Sequence, residues 1–171
     1  MAYALVNLSL GTPILGQQTL DLLRGLDYLS ARADVDASRI AVAGTGTSGL
    51  VCMAGTALDP RIRSLLLNRS LATLESVVAA KDYDLPLSAV AFGLVRNFDL
   101  PEICASLAPR PIWLVNSVGP NGDLLSLSEI GDSYQVATRA YAQNKENLCF
   151  RVEPAPADDA AVAWMQKVLA S

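Results

Sequence analysis

Apolar positions fall into two alternating kinds of run. Gln17 to Arg32 shows helical spacing, with Leu22, Leu26 and Leu29 on one face and Leu20 and Leu23 beside them. Asp34-Val35-Asp36 breaks that pattern, and Arg39 to Ala43 follows as a short β-branched run ending at Gly44, the mark of a buried strand. A glycine-rich turn, Gly44 to Gly49, leads into an apolar helix over Leu50 to Leu58, which Asp59-Pro60 closes. Ser64 to Asn68 reads as a second strand and Leu71 to Ala80 as a helix, whereas Tyr83 to Phe98 has no clear period. Asp99 is the predicted N-cap of the next helix, with Pro101 in its first turn. Pro111 to Asn116 is a third strand, Ser126 to Gln143 a helix and Leu148 to Val152 a fourth strand. Asp158 to Leu169 is a closing helix with Trp164, Met165 and Val168 facing inward. Met1 to Leu10 fits either helix or strand.

Strands and helices alternating at this spacing predict an α/β fold, a parallel sheet of about four strands covered on both faces. A chain of 171 residues without linker, repeat or low-complexity tract reads as one domain. Its 51% hydrophobic and 18% charged residues argue against disorder and point to surface reserved for a partner.

Charge and residue counts then remove whole classes of function. The net charge is −4 with basic residues interspersed, so nucleic acid is not an expected partner. No run reaches the roughly 18 apolar residues of a membrane span, and the N-terminus lacks the basic and small-residue features of a signal peptide. Cys52, Cys104 and Cys149 lie far apart in apolar surroundings, which predicts buried thiols in a reducing, cytoplasmic setting. The chain contains no histidine. That excludes a Ser-His-Asp triad, a Cys-His dyad and a His-ligated metal, and no carboxylate cluster has metal-ligand spacing. Neither metal nor cofactor is expected.

The turn Gly44-Thr45-Gly46-Thr47-Ser48-Gly49 matches GxGxxG between a strand and a helix. One reading is a dinucleotide site, with Arg69 suited to a 2′-phosphate. Some forty residues precede the turn, however, and no acidic residue ends the Ser64–Asn68 strand.

The flanks of the turn support another reading. Asp27-Tyr28-Leu29, Arg32, Asp34-Val35-Asp36 and Ser38-Arg39-Ile40-Ala41-Val42-Ala43-Gly44 resemble the approach to the nucleophile elbow of α/β-hydrolases, above all the dienelactone hydrolase, acetyl xylan esterase and prolyl oligopeptidase-like groups. Ala57-Leu58-Asp59-Pro60-Arg61-Ile62, Tyr83-Asp84-Leu85-Pro86, Phe98-Asp99-Leu100-Pro101 and Leu107-Ala108-Pro109-Arg110-Pro111 extend the likeness across residues 17 to 170. It implies the C-terminal half of such a fold, residues 1–171 forming a single truncated domain.

Carried over position by position, the resemblance removes the family's catalysis. Gly46 falls at the nucleophile and Ser48 where a glycine is usual. Gly119 stands at the acid position, with Asp123 displaced from it, and the histidine expected near Glu153 to Asp158 is missing. What the resemblance preserves is an oxyanion hole, a ring of backbone N–H groups around Gly46, Thr47, Ser48 and Gly49 that attracts a small carboxylate or ester carbonyl. The leading expectation is a degenerate hydrolase-like domain serving binding or assembly. The alternative is a weak carboxylesterase with Ser48 as nucleophile and Asp123 as base, ahead of Glu153 and Asp158. Dinucleotide binding stands third. The strands the resemblance lacks would flank Arg39–Ala43, leaving an apolar edge for Met1–Leu10 or another chain to cover. The expected partner is a second copy in a homodimer, or a separate N-terminal hydrolase-like chain.

Overall fold

In the computed structural model the described residues are 2–153 and 158–170, with the side chains of 2–153 and 162–169. Helix α1 (Ala2–Ser9) and helix α2 (Ile14–Ser30) precede strand β1 (Ile40–Thr45) and helix α3 (Ser48–Leu58). Strand β2 (Ile62–Asn68), helix α4 (Leu74–Ala79), helix α5 (Leu94–Asn97) and helix α6 (Leu100–Ser106) follow. Strand β3 (Ile112–Val115), helices α7 (Leu127–Ser133) and α8 (Gln135–Ala140), strand β4 (Leu148–Arg151) and helix α9 (Asp158–Ala170) complete the order. The four strands form one parallel sheet in the order β1-β2-β3-β4, as the alternating pattern predicts.

Successive side chains of a strand face opposite sides, and the sheet builds a core on each. Leu65 and Leu67 of β2 and Ile112 and Leu114 of β3 pack with Leu50 and Met53 of α3 and with Cys104, Ala137 and Tyr141. On the other face Leu66, Trp113 and Val115 meet Cys149 and Trp164 of α9, with the Trp113 and Trp164 rings 5.3 Å apart. All three cysteines are free. Burial pushes the Cys104 thiol up to about 12 and raises Cys52 as well, so both behave as small core hydrophobes.

Several elements differ from the sequence pattern for local reasons. Helix α2 begins at Ile14 because Pro13, with φ −56° and ψ 143°, delivers the chain into it. Within α2 Leu15 and Leu26 are the buried leucines, and Leu20 and Leu29 face solvent at 47% and 40% exposure. The predicted 71–80 helix is confined to α4, whose start is set by the Thr73 side chain accepting from the Ser76 N–H. The 126–143 segment divides at Tyr134, which is fully buried and donates its phenol to the Ala72 carbonyl at 3.0 Å. Residues 83–98, without a clear period, hold a 3-10 turn at Leu87–Ala89 and the single turn of α5. Met1–Leu10 contributes α1, which packs on α2 and the 3-10 turn. It adds no strand, so among the described residues β1 pairs only with β2, and Ala43 and Thr45 remain exposed. No described helix is long and apolar enough to cross a membrane.

Asp99 caps two helices at once. Its Oδ1 accepts from the N–H groups of Leu100 and Leu74, both at 2.6 Å, and its Oδ2 from Glu75 at 2.8 Å. Glu102 returns the capping box to the Asp99 N–H. Asp99→Ala strips the first turns of both α4 and α6 and is expected to lower stability by about 2–3 kcal/mol. Urea unfolding checks this, and a loss below about 0.5 kcal/mol contradicts the shared cap.

Candidate functional site

The turn after β1 closes through contact between two backbones. A Cβ on Gly44 would lie 2.8 Å from both the N and Cα of Gly49, so neither glycine has space for a side chain facing the other. At Gly49 a Cβ would also overlap Ser70, whose hydroxyl donates to the Gly46 carbonyl at 3.1 Å. Gly46 takes the left-handed conformation (φ +60°) and donates its N–H to Asn68 at 2.9 Å. All three glycines of the motif are thus accounted for by turn geometry. Space beside Gly46 is open: a Cβ there would meet nothing within 4 Å.

Ser48 is turned back on the strand it follows. Its Oγ donates to the Thr45 carbonyl and accepts from the Thr45 N–H, each at 2.9 Å. The neighbouring Thr47 N–H, at the start of α3, has no acceptor among the described residues. Thr47 lines a cavity of about 190 Å³ together with Gly46, Arg69, Asp84 and Gly119, and with the apolar Leu50 and Leu71. Ser48 and Asp123 are not part of that wall. Tyr83 is 55% exposed, whereas its neighbour Asp84 lines the cavity and is held by its N–H on the Pro120 carbonyl at 2.8 Å.

The loops after β2 and β3 are tied together behind the cavity. Val118 donates to the Ser70 carbonyl at 3.0 Å and Ala72 to the Val118 carbonyl at 2.9 Å. At Gly119 a Cβ would stand 2.9 Å from Oδ2 of Asp123, so the Asp123 carboxylate occupies the volume a side chain at 119 would need. Asp123 thus lies against Gly119, the position that the resemblance matches to the family's acid, although it comes four residues later in sequence. No hydrogen bond joins it to Ser48 among the described residues. The Glu153 N–H is held by Asn116 Oδ1 at 2.8 Å, and the side chain of Asp158 lies outside the described set. Among the described residues no three His, Cys, Asp or Glu side chains are grouped to hold a metal.

Arg69, which the motif reading offers as an anion ligand, and Asn116, which it does not, both have left-handed backbones beside the turn. Arg69 ends β2 with φ +48° and lines the cavity; Asn116 ends β3 with φ +53° and bridges to β4 through its N–H on Arg151 at 2.8 Å. An asparagine at a strand end favours that conformation and is readable in principle, whereas a left-handed arginine carries no such signal.

No family model matches the chain. It is 28% identical over 170 residues to YtaP of Bacillus subtilis (strain 168), whose own assignment as a hydrolase is inferred; the match covers 93% of this chain and 56% of that protein. Among solved structures, a Bacteroides fragilis NCTC 9343 protein assigned as an acetyl xylan esterase superposes with a TM-score of 0.70 at 19% identity, covering 90% of this chain and 40% of that one. A glucuronoyl esterase from Teredinibacter turnerae T7901 gives a TM-score of 0.65 at 19% identity over 87% of this chain and 45% of its own. The fold is that of the α/β-hydrolases, and the chain spans about half the length of the relatives it matches.

The Gly49–Ser70 contact gives a direct test of the turn. Gly49→Ala is expected to cost about 2 kcal/mol through overpacking. Adding Ser70→Gly, which removes the obstructing side chain, should recover at least half of that loss. Additive effects in the double-mutant cycle would contradict the contact.

Proposed function

We propose that this chain is an α/β-hydrolase-like domain that retains the elbow turn without triad catalysis and acts through binding or assembly. The observation that carries this reading is Gly46. It holds the left-handed elbow position beside open space, yet offers no nucleophile, in a chain without histidine. The ligand this reading assigns is a small carboxylate or ester, its oxygen taken by the Thr47 N–H with Arg69 alongside. At about 190 Å³ the cavity is below the roughly 300–1,000 Å³ of drug-sized sites, which favours a ligand of a few heavy atoms and disfavours a dinucleotide.

The esterase neighbours support a second reading, a weak carboxylesterase using Ser48 and the turn N–H groups. Against it, both the donor and an acceptor site of Ser48 Oγ are engaged by Thr45, and a carboxylate with pKa near 4 is a feeble base for a hydroxyl. Hydrolysis of p-nitrophenyl acetate separates the two. Wild type and Ser48→Ala are expected to agree within about twofold, and Gly46→Ser, which has space for its side chain but is strained at φ +60°, to gain less than about tenfold for lack of a base. A Ser48-dependent rate moves the conclusion to the second reading.

Assembly has a physical place in the bare side of β1. Its outer N–H and C=O groups lack a ladder partner among the described residues, and Ala43 and Thr45 are exposed beside them. An apolar parallel strand in that state associates readily. The proposed partner is a second copy of this chain or a separate N-terminal hydrolase-like chain. Sedimentation of the purified chain is expected to show a dimer or larger species that dissociates on dilution. A monomer at all concentrations, unchanged by an N-terminal hydrolase-like chain, contradicts this part of the proposal.

A further inference from the structure

The amino end of the sheet, opposite the elbow turn, carries a second polar cavity. It measures about 850 Å³, and among the described residues its wall includes Arg39, Arg61 and Arg63 and no carboxylate. In a chain of net charge −4 such a concentration needs an account of where each guanidinium is spent. Arg61 is fully engaged, donating to Asp59, Asp27 and Ser30. Arg110, just behind, donates to the Asp59 and Ile62 carbonyls at 3.2 and 3.1 Å. Arg39 uses Nε on the Leu169 carbonyl at the end of α9, which leaves its two terminal nitrogens unpaired among the described residues. Asp36, whose Oδ1 accepts from Ser38, is close enough to feel the charge of Arg39 but is not part of the cavity wall.

Arg63 is the exception. Its guanidinium forms no hydrogen bond or ion pair among the described residues. The reason it faces this cavity is a β-bulge: Ile40 pairs with Ile62 and Ala41 with Ser64, so Arg63 is the extra residue between them. Bulges re-aim a side chain and are enriched beside sites of function. Arg63 also stands near a like charge. Arg110 is held below the usual guanidinium range, chiefly by burial, and the charge of Arg63 pushes it the same way. A guanidinium set beside others, with neither a partner nor a carboxylate in the wall among the described residues, is relieved by an anion.

We infer that this cavity binds a phosphorylated small molecule, its phosphate held between the Arg63 guanidinium and the terminal nitrogens of Arg39. Arginine forks match phosphate oxygens in pairs, and the cavity volume leaves room beyond the phosphate for an organic part. The site lies at the other end of the strands from the elbow turn and is independent of what that turn binds.

Inorganic phosphate and pyrophosphate, titrated at constant ionic strength against chloride, serve as probes, with the melting temperature as readout. Wild type is expected to show a saturable rise, larger for pyrophosphate. Arg63→Ala should weaken the apparent affinity about tenfold or more, the loss of one or two charge-assisted hydrogen bonds, and Arg63→Lys by less. Arg63 has no partner to lose among the described residues, so Arg63→Ala should fold normally by circular dichroism, which keeps the comparison interpretable. No saturable rise, an equal rise with chloride, or an unchanged affinity in Arg63→Ala each overturns the inference.

Discussion

Gly44 and Gly49 touch backbone to backbone, and the shape of the domain follows from that crossing. Because neither residue has a side chain, α3 can start immediately above β1 and run back across the sheet. Leu50 and Met53 then fall on Leu65 and Leu67, which founds the larger core. Ser70 approaches from the end of β2 into the space that Gly49 leaves, and its hydroxyl fixes the carbonyl of Gly46. Two segments distant in sequence, the turn after β1 and Ser70 after β2, are locked at one point, the carboxyl ends of these strands. The cavity lies there because the lock lies there.

Catalytic side chains and catalytic geometry are separate properties of this fold. The left-handed residue, the helix start behind it and the unpaired Thr47 N–H persist although the nucleophile position carries only hydrogen. The two vacated positions have been treated differently. At Gly46 the space is open, whereas at Gly119 it is filled by Asp123 from further along the loop. A negative charge thus stands beside Gly119 in a chain that has no imidazole. Under the proposed reading, a cradle without a proton carrier suits holding a ligand better than transforming it.

Much of this was legible in the sequence because the strong signals are local. The runs SLLLN and PIWLVN lie buried between neighbouring strands and RIAVA forms the adjoining edge strand, and a continuous apolar stretch has few alternatives. Asp99 with Pro101 marked a helix start that the capping box bears out. The elbow turn was readable because Gly44, Gly46 and Gly49 answer a steric demand within six residues. What escaped depends on distance in the chain. The Asp123 carboxylate reaches position 119 by a loop fold that no spacing rule encodes. Arg69 enters the cavity through a left-handed backbone, and the break at Tyr134 accompanies a phenol anchored on Ala72, sixty-two residues away. The bulge at Arg63 is equally silent, since it appears only once β1 and β2 are paired.

The smaller core has a consequence for observing the molecule. Trp113 on β3 and Trp164 on α9 are the chain's two tryptophans, and their rings meet at 5.3 Å and 47° across the contact that seats α9. Indoles this close couple electronically, so they give a paired near-ultraviolet signal that vanishes when α9 lifts away even if the sheet stays whole. The chain therefore carries its own optical gauge for the docking of its last helix. That event is kept distinct from unfolding of the larger core, which contains no indole.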